Sequence, residues 1–169
     1  MYYKIAIEFT RERLHALKVL LEKAQQQAME KGISDEEILS YRLAPDMFPL
    51  MKQVQIVTDN AKGAAARLAG LEIPKYEDNE VTLGDLYTRI DKTIAFLDTF
   101  TPESFADADS RKIELPYFKD MHFTGEGYIT YHISNFMFHV TTTYALLRAN
   151  GFQIGKADFM NSLPLIPNS

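Results

Sequence analysis

The chain has 169 residues, a formal net charge of −5 at neutral pH and no cysteine. Its negative charge argues against nucleic acid or an anionic membrane as a partner, and the lack of cysteine excludes disulfides, thiolate zinc sites and cysteine nucleophiles. Because residues 1–4 lack a signal-peptide pattern and no apolar run reaches the roughly 20 residues of a membrane span, we expect one cytoplasmic domain over residues 1–169.

Two long amphipathic segments fill the first half of the chain. The first, over residues 3–31, has apolar or small residues at helical spacing and ends at Gly32. The second, over residues 47–69, has a similar apolar stripe, with Asp46 at the position of an N-cap. Residues 71–81, which contain a proline and several charges, are predicted to form an extended crossover to a third helix.

The second half predicts two more helices with a short irregular region between them. Thr82 and Asp85 have the spacing of a capping box, and the third helix continues from them to Leu97. Polar and apolar residues alternate over residues 111–123, which suggests a small β-hairpin. A fourth helix follows over residues 127–150. The predicted fold is all-α: a four-helix bundle with a long crossover between helices 2 and 3 and a small β-hairpin before helix 4.

The fourth helix has polar side chains on the face that should point into the core. His132 and His139 lie on its apolar stripe, with Asn135 between them on the same face. Bundles build metal and ligand sites from such groups on facing helices. The two histidines are separated by about 10.5 Å along a helix, so one small ion cannot easily take both. A metal site would need His139, Asn135 as an oxygen ligand, and a carboxylate such as Asp46 or Asp59.

Structural interpretations of the same residues remain open. A core histidine is commonly hydrogen-bonded to a carbonyl, a tyrosine or water, which is the simpler role for His132. Asp46 fits an N-cap, and Asn135 fits a structural hydrogen bond. Aromatic residues are frequent around the fourth helix, which is consistent with a packed core, a dimer face or an apolar pocket with polar groups at its base. These aromatic residues are Tyr117, Phe118, Phe123, Tyr128, Tyr131, Phe136, Phe138 and Tyr144.

A family resemblance rests on phrases spread over nearly the whole chain. They are residues 43–50, 53–55, 61–62, 67–70, 135–145 and 151–156. Together they resemble an uncharacterised bacterial family named only as a domain of unknown function, which is grouped with the DinB/YfiT-like proteins. The resemblance implies a four-helix bundle, metal-dependent enzymes as relatives, and a homodimer.

The same resemblance implies a zinc or nickel site. Members of the superfamily typically bind the metal through three histidines, one from the second helix and two, four residues apart, from the last helix. His139 matches the final histidine because it lies twelve residues before a glycine. Asn135 stands at the position four residues earlier, and the second helix has no histidine, so Asp46, Gln53 or Gln55 would have to substitute.

Three functions are consistent with these observations. The first is a DinB-like metal-dependent transferase or hydrolase that acts on a small molecule, with His139 as ligand or general base. The second is a bundle that binds a small ligand without a metal, and the third is a dimeric structural module. Missing histidines favour the last two, whereas polar residues on the inner face of the fourth helix favour a pocket. The predicted pocket residues are His132, Gln53, Phe136 and Tyr131.

Overall fold

A computed structural model describes residues 1–161 and 167 and consists of helices and loops. A π-helical turn, Lys4–Phe9, leads into α1, Thr10–Lys31, and the other helices are α2, Asp35–Ser40; α3, Leu50–Ala69; α4, Leu83–Leu97; α5, Gly125–Ala149; and α6, Lys156–Met160. Short 3-10 turns, Pro102–Phe105 and Ala108–Ser110, lie between α4 and α5. The all-α class is confirmed, and α2 and α6 add to the four long helices that were predicted. Residues 162–166, 168 and 169 of the predicted domain lie outside the described residues.

One hydrophobic core lies among the long helices. α3 packs against α5 and α4, and α1 packs against α4 and α5. The predicted apolar stripes face this core, since Leu14 of α1, Val57 of α3, Ile90 of α4 and Phe136 of α5 are all fully buried. Burial of one such side chain contributes about 1.5–3 kcal/mol, so the stripes determine which face of each helix turns inward. Within the described residues, no helix is both long and apolar enough to cross a membrane.

The start of α3 differs from the prediction. The helix begins at Leu50 rather than at residue 47, and Pro49 rather than Asp46 occupies the N-cap position. A residue that precedes a proline is disfavoured in the helical conformation, so the helix does not extend back through Phe48. Asp46 instead lies exposed in the turn before the helix, where the Met47 amide donates to the Ala44 carbonyl.

The starts of α4 and α5 are fixed by their capping residues. The Thr82 amide donates to Asp85 Oδ2 at 2.8 Å and the Asp85 amide donates to Thr82 Oγ1 at 3.1 Å, which confirms the predicted capping box of α4. α5 begins at Gly125, two residues earlier than expected, because Thr124 Oγ1 accepts from the Gly127 amide at 3.2 Å.

The predicted β-hairpin before α5 is reduced to a single antiparallel bridge. Ile113 and Phe123 exchange two backbone hydrogen bonds of 2.9 and 2.8 Å. Over residues 1–161, the structure contains no strand beyond this bridge. Pro116 lacks an amide donor and Asp120 has a positive φ of 60°, so the segment between the paired residues forms turns instead of extending the ladder.

Two helix ends offer a matched pair of glycines. Gly32 after α1 and Gly70 after α3 have φ angles of 69° and 70°, a conformation that costs other residues about 1 kcal/mol. A Cβ added at Gly32 would meet nothing within 4 Å, whereas one at Gly70 would lie 2.0 Å from Arg111 Nη1. Arg111 caps α3, because it donates to the carbonyls of Leu68 and Ala69 at 2.9 and 3.0 Å.

Alanine substitution at these glycines should therefore have unequal effects. We expect Gly32→Ala to lower the free energy of unfolding by about 1 kcal/mol, the cost of the backbone conformation alone. Gly70→Ala should lower it by about 2–3 kcal/mol, because it also displaces the Arg111 guanidinium from the two carbonyls. Urea denaturation of both variants measures the difference, and equal losses would contradict the capping role of Arg111.

Candidate functional site

Three polar side-chain pairs join α3 to α5, which run antiparallel. We call them the polar ladder: Gln53 with His139, Asn60 with His132, and Arg67 with Tyr128. Residues 53, 60 and 67 are spaced by seven and share one face of α3, and the two histidines repeat that spacing on α5. The ladder therefore follows the most extensively packed helix pair of the fold.

His139 is oriented by Gln53. The Gln53 side chain donates through Nε2 to the Phe48 carbonyl at 3.0 Å, so its Oε1 faces the ring, 2.6 Å from His139 Nδ1. Nδ1 must therefore carry the ring proton, which leaves the lone pair on Nε2. Within residues 1–161, no group forms a hydrogen bond with this Nε2. Burial lowers the pKa of His139, so its ring is neutral at physiological pH.

His132 is fully buried and contacts both α1 and α3. Its Nε2 lies 2.9 Å from Thr10 Oγ1, whose own proton is donated to the Ile5 carbonyl at 2.9 Å. Its Nδ1 lies 2.5 Å from Asn60 Oδ1. The neutral ring therefore carries its proton on Nε2 and donates it to Thr10 Oγ1. Its Nδ1 then accepts a hydrogen bond from the Asn60 side chain, whose amide is rotated by 180° so that its NH₂ group faces the ring. Burial favours this neutral form and lowers the pKa of His132 to about 4.

The residues predicted to bind a metal lie in different surroundings. His139 is buried, Asn135 is half-buried, and Asp46 is exposed. In the part of the chain that the structure describes, no group of three or more histidine, aspartate or glutamate side chains could hold an ion. Zinc and nickel favour imidazole and thiolate ligands, for which an amide oxygen is a weak substitute. The single imidazole of this set therefore does not fit the three-histidine site that the resemblance implies.

A cleft of about 500 Å³ opens beside the polar ladder. Its volume lies in the range of small-molecule sites, about 300–1,000 Å³. The predicted residues Tyr131 and Asn135 line it, whereas Gln53, Phe136 and both ladder histidines do not. The full lining consists of Phe48, Ile56, Asp59, Asn60, Arg67, Tyr117, Tyr128, Tyr131 and Asn135. Another cleft, of about 490 Å³ between α2 and the crossover, is not lined by any ladder residue.

Sequence reasoning missed Asn60 and Arg67 as site residues. Both lie at seven-residue steps from Gln53, the same spacing that separates His132 from His139. That shared spacing is the signal that could have indicated facing polar residues on an antiparallel pair of helices. The sequence pattern indicates Tyr128 only as one member of an aromatic-rich region.

Comparison with known proteins identifies the family. A family model described as a domain of unknown function, DUF1993, matches residues 2–160. The crystal structure of a DinB family member protein from Shewanella denitrificans is 34% identical, with a TM-score of 0.94 over 98% of this chain and 95% of that one. No curated protein matches the chain. The predicted resemblance is thus confirmed, and the chain belongs to the DUF1993 family, whose function is unknown, with the fold of a DinB family member.

Proposed function

We propose that this protein binds a small organic molecule in the cleft between α3 and α5, without a zinc or nickel ion in the site. The observation that carries the proposal is the convergence of Asn135, Tyr131 and Arg67 on one cleft that also has apolar walls. Small-molecule sites typically combine apolar surface with a few polar groups that fix the orientation of the ligand. A cytoplasmic homodimer remains the predicted setting, and sedimentation of the purified chain would test whether it forms a dimer.

Asn135 connects this proposal to the family. It stands at the position where the resemblance implies a metal-binding histidine, and it lines the cleft. An amide both donates and accepts hydrogen bonds, which suits an organic ligand better than a metal ion. The proposed site therefore uses the same position of α5 with a different chemistry.

A thermal-shift screen of small molecules tests the proposal. A ligand at a free concentration of about 100 times its Kd should stabilise the folded protein by about 2.7 kcal/mol. This stabilisation should raise the Tm by about 5–10 °C. Asn135→Leu should weaken binding about 5- to 10-fold, as expected for one lost hydrogen bond. Thr130→Leu, at an exposed position of α5, is the matched control and should bind like the wild type. A screen without hits, or a hit that binds Asn135→Leu normally, would contradict the proposal.

Metal analysis distinguishes metal-free binding of a small molecule from a metal-dependent enzyme. After incubation with zinc or nickel and removal of excess metal, we expect the protein to retain far less than one ion per chain. One retained ion per chain, lost in His139→Ala, would contradict the proposal. That outcome would favour the transferase or hydrolase that the resemblance implies.

A second candidate function is metal-independent catalysis by His139. Its favourable observation is the tautomer, because Gln53 holds the Nδ1 proton and leaves Nε2 available as a general base. Because His139 does not line the cleft, its substrate would have to bind beside the ring instead. In that case the wild type should convert a compound of the screen whose binding does not depend on Asn135, and His139→Ala should bind this compound without converting it. Unchanged conversion by His139→Ala would exclude this role.

A further inference from the structure

Arg67 is a half-buried cation that no carboxylate neutralises within residues 1–161. Its Nη1 donates to Tyr128 Oη at 3.0 Å, and its guanidinium carbon lies 5.9 Å from the centre of the Tyr128 ring. It takes part in none of the ion pairs found in this part of the chain. Since a guanidinium has five N–H donors, Arg67 keeps donors available for a ligand.

Helix-end electrostatics do not explain the position of this guanidinium. Arg67 lies near the C-terminus of α3, where a cation interacts favourably with the last carbonyls. Those carbonyls, of Leu68 and Ala69, are instead bonded to Arg111. The Arg67 side chain folds back over Gly63, where an added Cβ would lie 2.4 Å from Nη1. Gly63 therefore provides the space in which Arg67 reaches the cleft.

The other polar groups of the cleft do not cancel this positive charge. Among the described lining residues, Asp59 is the carboxylate, and it is already paired with Lys62 at 3.0 Å and with Arg89 at 2.9 Å. Burial, with Tyr117 nearby, raises the pKa of Tyr131 to about 12, so this phenol is a neutral hydrogen-bonding group at physiological pH. The cleft therefore favours an anionic ligand.

Aromatic rings form one wall of the cleft. The rings of Tyr128 and Tyr131 lie at 24° to each other with centroids 6.2 Å apart, and the Tyr131 ring is supported by Phe123, outside the lining, at a centroid distance of 5.2 Å. Phe48, which is 54% exposed, and Ile56 add further apolar surface to the lining. Flat aromatic surfaces of this kind favour a planar apolar body in the ligand.

We propose that the ligand is a small organic anion with a planar apolar body, whose anionic group bonds to Arg67 and whose ring packs against Phe48 and Tyr131. This inference rests on the proposed function and specifies the class of ligand. An aromatic carboxylate and an aryl phosphate share the required chemistry, because a guanidinium can donate two parallel hydrogen bonds to either.

Titration with three probes tests the inference. Benzoate and phenyl phosphate carry the anionic group, and benzamide is a neutral compound of similar shape. We expect at least one anion to bind about tenfold tighter than benzamide or better. Tighter binding of benzoate supports a carboxylate ligand, and tighter binding of phenyl phosphate supports a phosphate ligand. Equal binding of all three would overturn the anion inference and leave small-molecule binding intact.

Two variants and one control assign the effect to Arg67. Arg67→Met should weaken binding of the anion about 10- to 100-fold. Its affinity for benzamide should stay within about twofold of the wild-type affinity. Arg11→Met removes the same charge outside the cleft, from an ion pair with Asp98, and should bind all probes like the wild type. Gly63→Ala keeps Arg67 and favours the helix, but it displaces the guanidinium and should also weaken anion binding.

The outcomes separate this inference from the proposed function. Normal anion binding by both Arg67→Met and Gly63→Ala would overturn the role of Arg67. If none of the three probes binds to the wild type, the anion inference is overturned. The screen with Asn135→Leu then decides independently whether the cleft binds another class of small molecule.

Discussion

Replacement of Arg89 by methionine is expected to lower the free energy of unfolding by about 3–5 kcal/mol, a large part of the stability of a domain. Arg89 is 4% exposed, and it pairs with Glu80 at 2.8 Å, Asp59 at 2.9 Å and Asp78 at 3.1 Å. Without the guanidinium, three carboxylates lose their shared cation, and the buried Glu80 loses its closest counter-charge. Glu80 would keep only the neutral Gln55 donor at 2.7 Å, and a buried charge left without a counter-charge is strongly destabilising.

The same arginine attaches the crossover between α3 and α4 to the helices. Its Nη1 donates to the Glu77 carbonyl at 3.1 Å, so it holds backbone as well as side chains of this extended segment. The Tyr76 ring lies within 5.4 Å of three cations, Lys62, Arg89 and Lys92. We therefore expect Arg89→Met to loosen the crossover in addition to lowering global stability.

Chemical denaturation measured by circular dichroism gives the size of this loss. Arg11→Met is a matched control, because it breaks an ion pair of similar length, 2.8 Å, between partly exposed side chains. Such a pair contributes about 0–1 kcal/mol. A loss in Arg89→Met that is no larger than the loss in Arg11→Met would show that the buried network contributes little.

Stability should also fall as the pH drops from about 6.5 towards 4, because of His132. Its pKa is about 4 in the folded protein, compared with an ordinary value of 6.5. Between these values the unfolded chain binds more protons than the folded one, so stability rises with pH and the contribution is complete above pH 6.5. Relative to neutral pH, we expect a loss of about 2 kcal/mol at pH 5.

Urea denaturation at pH 7.5 and pH 5 measures this effect. His132→Gln removes the titrating group, so the variant should be less stable at pH 7.5 but should lose less stability on acidification. His15→Gln alters an exposed histidine and should keep the pH dependence of the wild type. Burial lowers the pKa of His139 as well and contributes in the same direction, so the variants are compared with each other. Full pH dependence in His132→Gln would refute the role assigned to its burial.

The long helices could be predicted because their apolar residues repeat at the helical period. Leu14 and Leu21 of the predicted first stripe are fully buried, as are Leu86 and Ile90 of the third. Helix ends were less predictable, because they depend on local stereochemistry. α3 begins at Leu50 because Pro49 disfavours the helical conformation at Phe48. This restriction outweighs the stabilisation that Asp46 would provide as an N-cap of a longer helix.

The candidate site could be predicted only in part. The sequence and the resemblance both indicated His139, and Gln53 was considered as a substitute ligand, yet their hydrogen bond depends on the register between α3 and α5. That register results from the packing of many side chains between α3 and α5. The apolar stripe of either helix alone does not define it. The orientation of Arg67 depends in turn on the space at Gly63, which becomes visible only in three dimensions.

The polar ladder restricts how the two helices can move. A slide of α5 along α3 by one turn, about 5.4 Å, would separate all three pairs at once. Each separation would leave polar groups without partners at about 1–3 kcal/mol apiece, so such a slide is rarely populated. A ligand therefore reaches the cleft without separation of the two helices, past exposed lining side chains such as Tyr117, which is 66% exposed. Exposed side chains rotate within picoseconds to nanoseconds, so diffusion rather than helix opening should set the rate of association.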